Sequence, residues 1–340
     1  MSFKLLFSCP QPVDGTSVYR GWGPFTDLKL RHEGLELVEQ TDPLRWITIR
    51  DCDAVFIQRP FVPGQVELAK FAKFYKKPIW IDYDDDLTCV TRDNPAARVY
   101  ANGNEKNVTD NVKFICELAD IVTVSTDVLK ERLLKFAKRV ITVPNGLDLD
   151  ILQPMSPDLP RNPCVTWRGS GSHDRDVEIH AEAILEAHKA FPEWGWCFFG
   201  HDHWRLTERM NPARVRIVPF ISNYVSFIMD MQKMRGALNI VPLADTPFNR
   251  AKSRIAQLET SLAGAVSIVP DWEEWRGGSA FHYDGVNGFK DALFRAMNTP
   301  LPELAEMNKN DWEWVMQNRT LEKVNKLRKY VIMQLQGGFK

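Results

Sequence analysis

Asp82, Asp84, Asp85 and Asp86 place four carboxylates within five residues, directly after the apolar run Pro78–Ile81. Like charges this close repel one another in a compact loop, so the cluster suits a cation, a hydroxyl-rich ligand or a positive partner. A loop in which one aspartate caps a turn and the others face water is the plainer alternative. The run ends a buried strand, and open α/β sheets bind ligands at the carboxyl ends of their strands. Asp84, Asp85 and Asp86 are therefore candidates to position a hydroxyl group. A second chemistry-bearing stretch is Pro242–Gly264, PLADTPFNRAKSRIAQLETSLAG. Lys252 and Ser253 fall where a helix is expected to begin, and the free N–H groups and positive dipole end there attract phosphate. Glu259 follows Lys252 by seven residues, about two turns or ~10.5 Å along one helix face. From there a carboxylate can accept two hydrogen bonds from a ribose diol. A surface helix with a charged face would carry the same residues.

A third candidate is Gly169-Ser170-Gly171-Ser172-His173, small residues between the strand Cys164–Arg168 and a helix over Val177–Ala190. Such a loop lets phosphate approach the backbone, with Arg168 and His173 as side-chain contacts. The first strand, Phe3–Ser8, leads into a glycine-bearing loop, Gln11–Pro24, where Tyr19 and Arg20 are the contact candidates. His201-Asp202-His203 has no third ligand at useful spacing and reads as a polar turn rather than a metal site. Lys70, Lys73, Lys76 and Lys77 lie along or just past the helix Gln65–Tyr75, as a solvated face or an anionic acceptor patch.

The elements that must hold these residues alternate strand and helix. Apolar runs at Asp53–Gln58, Pro78–Ile81, Asp120–Ser125, Arg139–Pro144, Cys164–Arg168, Trp196–Phe199, Val215–Pro219, Ala237–Val241 and Ala265–Val269 read as strands. Asn107–Ala119, Val128–Ala137 and Ala251–Leu262 read as helices, the last stopped by Gly264 at a C′ position. Short buried strands separated by helices mean parallel sheets. Four prolines in Gln153–Pro163 mark a stiff interdomain linker. The length, 340 residues, suits two such domains. A net charge of −1 gives no global drive toward nucleic acid or an anionic membrane. Six scattered cysteines without a CxxC pair read as free thiols in a reducing compartment. No run is apolar and long enough for a signal peptide or a membrane span, so a cytoplasmic protein is expected.

Phe248–Gly264, FNRAKSRIAQLETSLAG, resembles the donor-binding segment of the retaining glycosyltransferases of GT-B fold, the large family-four group. There a Glu-x7-Glu element precedes a helix of small residues and a glycine. Glu259 matches the second glutamate, which in that family holds the donor ribose. The first glutamate is Ala251 here, with Asn249 and Lys252 as substitutes. ADIVTVSTDVLKERL and VITVPNGLDLD, within 119–150, match the end of that group's N-terminal domain, and Asp284–Gly288 is similar to the loop before its closing helices. The resemblance covers most of residues 50–300.

It implies an α/β chain of two Rossmann-like domains facing a cleft: residues 1–153 on the acceptor side, a linker at 154–163, a nucleotide-sugar-binding domain at 164–302, and closing helices at 303–340. The last helix, Leu321–Leu335, would cross back to the first domain. The implied reaction moves a sugar from a nucleotide-sugar, UDP-linked, to a hydroxyl, with retention. Arg168, Lys252 and Ser253 would face the departing diphosphate, Gly169, Ser170, His173 and Asn249 would line the donor, Phe220 would lie at the base, and Tyr19 and Arg20 would lie at the diphosphate and sugar. No metal and no cofactor beyond the co-substrate is implied. A metal at Asp82–Asp86, as in the Asp-x-Asp element of GT-A enzymes, fits the GT-B-like donor segment poorly. The chain also resembles compact phage-type members, some of which sugar-coat hydroxymethylated DNA bases. That makes a modified base one acceptor, beside a carbohydrate, a lipid-linked or a small-molecule hydroxyl. A nucleotide-sugar-binding protein and an epimerase of the same shape are the rival functions.

Overall fold

The computed structural model describes residues 2–10, 15–31, 34–39, 46–90 and 105–337. The chain divides into two compact units. The first comprises Met1–Gly146, Arg250–Ser253 and Leu321–Lys340, and the second Leu147–Asn249 and Arg254–Thr320.

The first unit is built on six parallel strands: β1 (Phe3–Ser8), β2 (Leu35–Glu39), β3 (Ala54–Gln58), β4 (Ile79–Tyr83), β5 (Ile121–Val124) and β6 (Val140–Thr142), in the order 2-1-3-4-5-6. Successive side chains of a strand point to opposite faces, and the sequence supplies apolar residues for both. Val55, Ile57, Ile79 and Ile81 join one core with the helix Pro63–Phe74 and the helix Glu105–Leu118, while Ala54, Phe56 and Trp80 join another. In the second core Phe7, Phe25, Phe56 and Trp80 pack ring on ring at centroid separations of 4.6–5.2 Å. Val331, Ile332 and Leu335 of the last helix, Leu321–Gly337, complete it. That helix is also hydrogen-bonded to the amino-terminal part of the unit: Asn325 Nδ2 donates to Asp27 (2.6 Å) and Arg328 to the Tyr19 carbonyl (3.0 Å). The expected return of the last helix to the first unit is therefore present.

The second unit repeats the plan with β7 (Asn162–Arg168), β8 (Gly195–Gly200), β9 (Val215–Pro219), β10 (Gly236–Ile240), β11 (Val266–Pro270) and β12 (Ala280–Tyr283), all parallel, in the order 12-11-10-7-8-9. Val165, Trp167, Trp196 and Phe198 pack on one face, Cys164, Cys197 and Phe199 on the other. Residues 154–163, expected as a linker, lie within this unit. Met155 N–H donates to the Leu262 carbonyl (3.0 Å) and Arg161 Nε to that of Gly264 (2.6 Å). Strand order reverses beside β1 in the first sheet and between β7 and β10 in the second, which are the switch points where ligands bind in such sheets.

Two expectations about local structure are corrected. The glycine-bearing loop at Gln11–Pro24 is largely helix, with Gly15–Arg20 helical and Trp22–Arg31 a second helix; residues 11–14 lie outside the described ones. The helix expected from Ala251 begins at Ile255, after a four-residue helix at Pro247–Arg250. Gly264 does end it, at φ +86°, a conformation glycine adopts without strain. All six cysteines are free thiols, and among the described residues no helix is long and apolar enough to cross a membrane.

The helix Leu301–Asn318 docks on Ile255–Leu262 through a buried carboxyl: Asp311 accepts from Gln257 Nε2 and from the Ser279 N–H, each at 3.1 Å. Burial pushes the Asp311 carboxyl up to about 6. A folded-state value above the unfolded one means that the folded chain binds more protons between the two, so stability falls as pH rises from about 4 to above 6. Two pH units correspond to up to about 3 kcal/mol. Asp311→Asn should flatten this dependence. Urea midpoints at pH 5 and pH 7 check it, and the drop between them should be smaller in the variant.

Candidate active site

In the second unit the switch point brings an arginine and a glutamate together. Arg168 is the last residue of β7, and Glu259 lies on the helix that follows β10, the strand beside it. Their side chains form an ion pair, Arg168 NH2 to Glu259 Oε2, at 2.5 Å. Glu259 is 3% exposed, on a helix of which seven of eight residues are buried. A buried carboxylate is tolerated only with such a partner.

The loop after β7 needs its glycines for close approach. A Cβ on Gly169 would come within 2.7 Å of the Trp167 ring, and one on Gly200, at φ +94°, within 2.3 Å of the Gly169 carbonyl oxygen. Ser170 caps the short turn Gly171–His173 by accepting from the Ser172 N–H. His173 Nδ1 lies 2.8 Å from Asp176 Oδ2. The other Asp176 oxygen accepts from the Ala244 N–H (2.9 Å) and from Asn249 Nδ2 (2.7 Å). Burial pushes the Asp176 carboxyl up, but His173, Ala244 and Asn249 outweigh it and hold it below its ordinary range. Asp176 thus braces the loop after β7 against the loop after β10. Asn249, expected at the donor, is 4% exposed, and its amide N–H groups go to Asp176 and the Ala244 carbonyl (3.0 Å), so it shapes the loop. Phe220, one residue past β9, is 71% exposed.

In the first unit the acidic run is neutralised residue by residue. Asp82 is buried within β4, forked by Arg20 Nε (2.9 Å) and NH2 (2.6 Å) and bonded by the Thr123 hydroxyl (2.6 Å). Arg20 also donates to the Val143 carbonyl and to Asn145 Oδ1. It is 0% exposed. This corrects its expected contact with a donor: every guanidinium nitrogen is already engaged inside the unit. Tyr19 is buried as well. Asp86 is buried, accepting from Arg132 (2.8 Å), from the Thr88 N–H (3.0 Å) and from the Thr88 hydroxyl (2.5 Å). It caps its turn and is not available to a hydroxyl ligand. Asp84 takes both oxygens to Arg59 at 2.6 Å, and Asp85 meets Arg59 at 2.9 Å and Lys252 Nζ at 3.6 Å. Asp84 and Asp85 alone of the run stay partly exposed.

Lys252 and Ser253 do not open a helix. They belong with the first unit, where Thr126 Oγ1 donates to the Ala251 carbonyl and Asn145 Nδ2 to Ser253 Oγ, both at 2.9 Å. The seven-residue spacing to Glu259 is therefore not a helix face, because a non-helical break separates the two residues. The expectation for His201 and His203 also changes, since the fold supplies Asp174 as a third potential ligand. Asp176 and Arg59 were missed. Both leave a trace in the sequence: a charged residue directly after an apolar strand, and an acidic one in the first turn after a small-residue loop.

No protein-family model matches the sequence, and no curated protein matches it. Solved structures do. HepE of Anabaena, crystallised with UDP and glucose, matches with a TM-score of 0.67 at 13% identity, over 98% of this chain and 99% of that one. The α,α-trehalose 6-phosphate synthase of Burkholderia multivorans matches with a TM-score of 0.65 at 11% identity, over 99% and 97%. The chain has the GT-B fold. TarM shares it at a TM-score of 0.60 and 10% identity, over 83% of this chain and 54% of that one. At such identities the likeness establishes the GT-B fold and leaves activity to be argued from the side chains.

Proposed function

We propose that this chain is a glycosyltransferase that moves a sugar from a UDP-linked donor to an acceptor hydroxyl. The observation that carries the reading is the Arg168–Glu259 pair at the switch point of the second sheet, a guanidinium and a carboxylate where a GT-B fold receives a nucleotide. HepE, of the same fold, is known in complex with UDP-glucose. Glu259 accepts from the donor ribose, while Arg168 and the small-residue loop that begins at Ser170 face the diphosphate; the Gly169 N–H is held by the Phe199 carbonyl (3.1 Å). The bond from the anomeric carbon to the diphosphate oxygen breaks, the bond from that carbon to the acceptor oxygen forms, and the acceptor proton leaves with the diphosphate or passes to water. Negative charge grows on the leaving oxygens, and a fixed guanidinium lowers the cost of that growth. Transfer proceeds with retention, as in the family that Phe248–Gly264 resembles, and the acceptor is a hydroxymethylated DNA base, as in some compact phage-type members, with a carbohydrate, lipid-linked or small-molecule hydroxyl as the alternative. The test is incubation with a panel of UDP-sugars and acceptors, hydroxymethylated duplex DNA among them, read by mass spectrometry, with the anomeric configuration of the product read by NMR. Release of free sugar without any acceptor would favour an epimerase, and no turnover of any donor would leave a binding protein.

Asp85 is the carboxylate assigned to orient the acceptor hydroxyl, steadied by Arg59 and Lys252. Asp85→Asn should lower the transfer rate, by up to ~10²-fold if the hydroxyl is displaced by about an ångström, and leave donor affinity nearly unchanged. Calorimetric titration with the nucleotide-sugar decides it. A large loss of donor affinity moves Asp85 to the donor and refutes the assignment.

A further inference from the structure

The loops after β7 and β8 carry three side chains that the proposed transfer does not use. Asp174 opens the helix Asp174–Ala190, and His201 and His203 follow β8. Asp174 Oδ1 lies 2.9 Å from His201 Nε2 and 2.8 Å from His203 Nδ1, and the ligand atoms of all three lie within 4.8 Å of one another. A tetrahedral zinc ion with bonds of about 2.0–2.1 Å sets its donor atoms about 3.3 Å apart. Two of the three separations are hydrogen-bond lengths, shorter than that edge by about half an ångström, and all three ligand atoms lie close enough to converge on one ion after a small side-chain adjustment.

The rings are held from behind. His203 is buried, with the Trp167 ring edge-on at a centroid separation of 4.2 Å. The turn Gly171–His173 presses on His201 so closely that a Cβ on Gly171 would lie 3.0 Å from its ring. Packing of this kind limits rotation of both rings, while the outer His203 nitrogen, Nε2, is buried without a hydrogen-bond partner among the described residues. Two imidazoles and one carboxylate suit zinc and its late first-row neighbours, whereas magnesium and calcium prefer oxygen alone.

We propose that Asp174, His201 and His203 bind one zinc ion, which ties the loop after β7 to the loop after β8. Asp174 and His201 are 27 positions apart in the chain, so no motif spacing announces the set. Only the adjacency of β7 and β8 assembles it. The proposal uses no step of glycosyl transfer and stands apart from that reading. In a direct test, chelator-treated protein is freed of chelator, mixed with zinc, desalted and analysed for bound metal. Cobalt substitution, read by visible absorption, reports the coordination. Wild type should retain one ion per chain. Asp174→Asn and His203→Ala should retain only background zinc, and Asp202→Asn, which changes the intervening non-ligand, should bind as wild type does. Asp174 is exposed, so its variant keeps the test sound if His203→Ala fails to fold. Wild type that retains no zinc, or variants that retain as much as wild type, would overturn the proposal.

Discussion

Replacing Arg168 by alanine is expected to lower kcat by ~10²–10³-fold, the loss typical of removing one donor that faces developing charge. The donor KM should change much less. The expectation follows from when the interaction strengthens. A guanidinium beside a diphosphate meets some charge in the bound donor and more in the transition state, so its loss falls mainly on the chemical step. A structural explanation has to be separated from this one. Glu259 is buried and paired with Arg168 at 2.5 Å, so the variant strands a carboxylate, and breaking a buried pair commonly costs about 3–5 kcal/mol of stability. Adding Glu259→Gln removes the stranded charge. If Arg168 acts on the diphosphate, the double variant stays as slow in kcat as Arg168→Ala. Recovery of kcat in the double variant would mean that Arg168 only keeps Glu259 in place, and single-turnover rates at saturating donor decide between the two.

Strands were the most legible part of the molecule, because β3, β4, β5, β10 and β11 are short apolar runs that a parallel sheet buries on both faces. β2, LELVE, was not legible: an edge strand needs only a partial apolar face, and two glutamates hide it. The acidic run was found, but its division of labour was not. Nothing local distinguishes Asp82 from Asp85. Arg20 and Arg132 reach Asp82 and Asp86 from 62 and 46 positions away, and those distant cations decide which carboxylates are structural. Lys252 shows the same limit at short range. The helix-forming pattern of Ala251–Leu262 placed it at a helix start, whereas hydrogen bonds to Ala251 and Ser253 from Thr126 and Asn145 hold the segment in the first unit as a non-helical break. Glu259 and Arg168 could each be singled out from sequence, but their pairing depends on β10 lying beside β7, which strand order sets and local sequence does not.

Glu259→Ala should act on binding rather than on the chemical step. A ribose diol keeps its charge and geometry while the sugar departs, so a carboxylate that accepts from it favours the ground and transition states alike. Hydrogen bonds to a charged group contribute about 1.5–3 kcal/mol each, so KM for the donor should rise roughly 10–100-fold, with kcat changed little. The inhibition constant of UDP should rise by a similar factor, since UDP carries the same ribose and lacks the sugar. A paired measurement isolates the contact. Wild type should bind 2′-deoxy-UDP more weakly than UDP, and Glu259→Ala should bind the two almost equally, because the hydroxyl has lost its partner. Folding of the variant is checked first, since Ala256, Leu258 and Leu262 of this helix are buried and the substitution leaves Arg168 without its carboxylate. If Glu259→Ala binds UDP as tightly as wild type, or still prefers it over the deoxy form, this helix does not hold the ribose and the donor must be sought elsewhere in the chain.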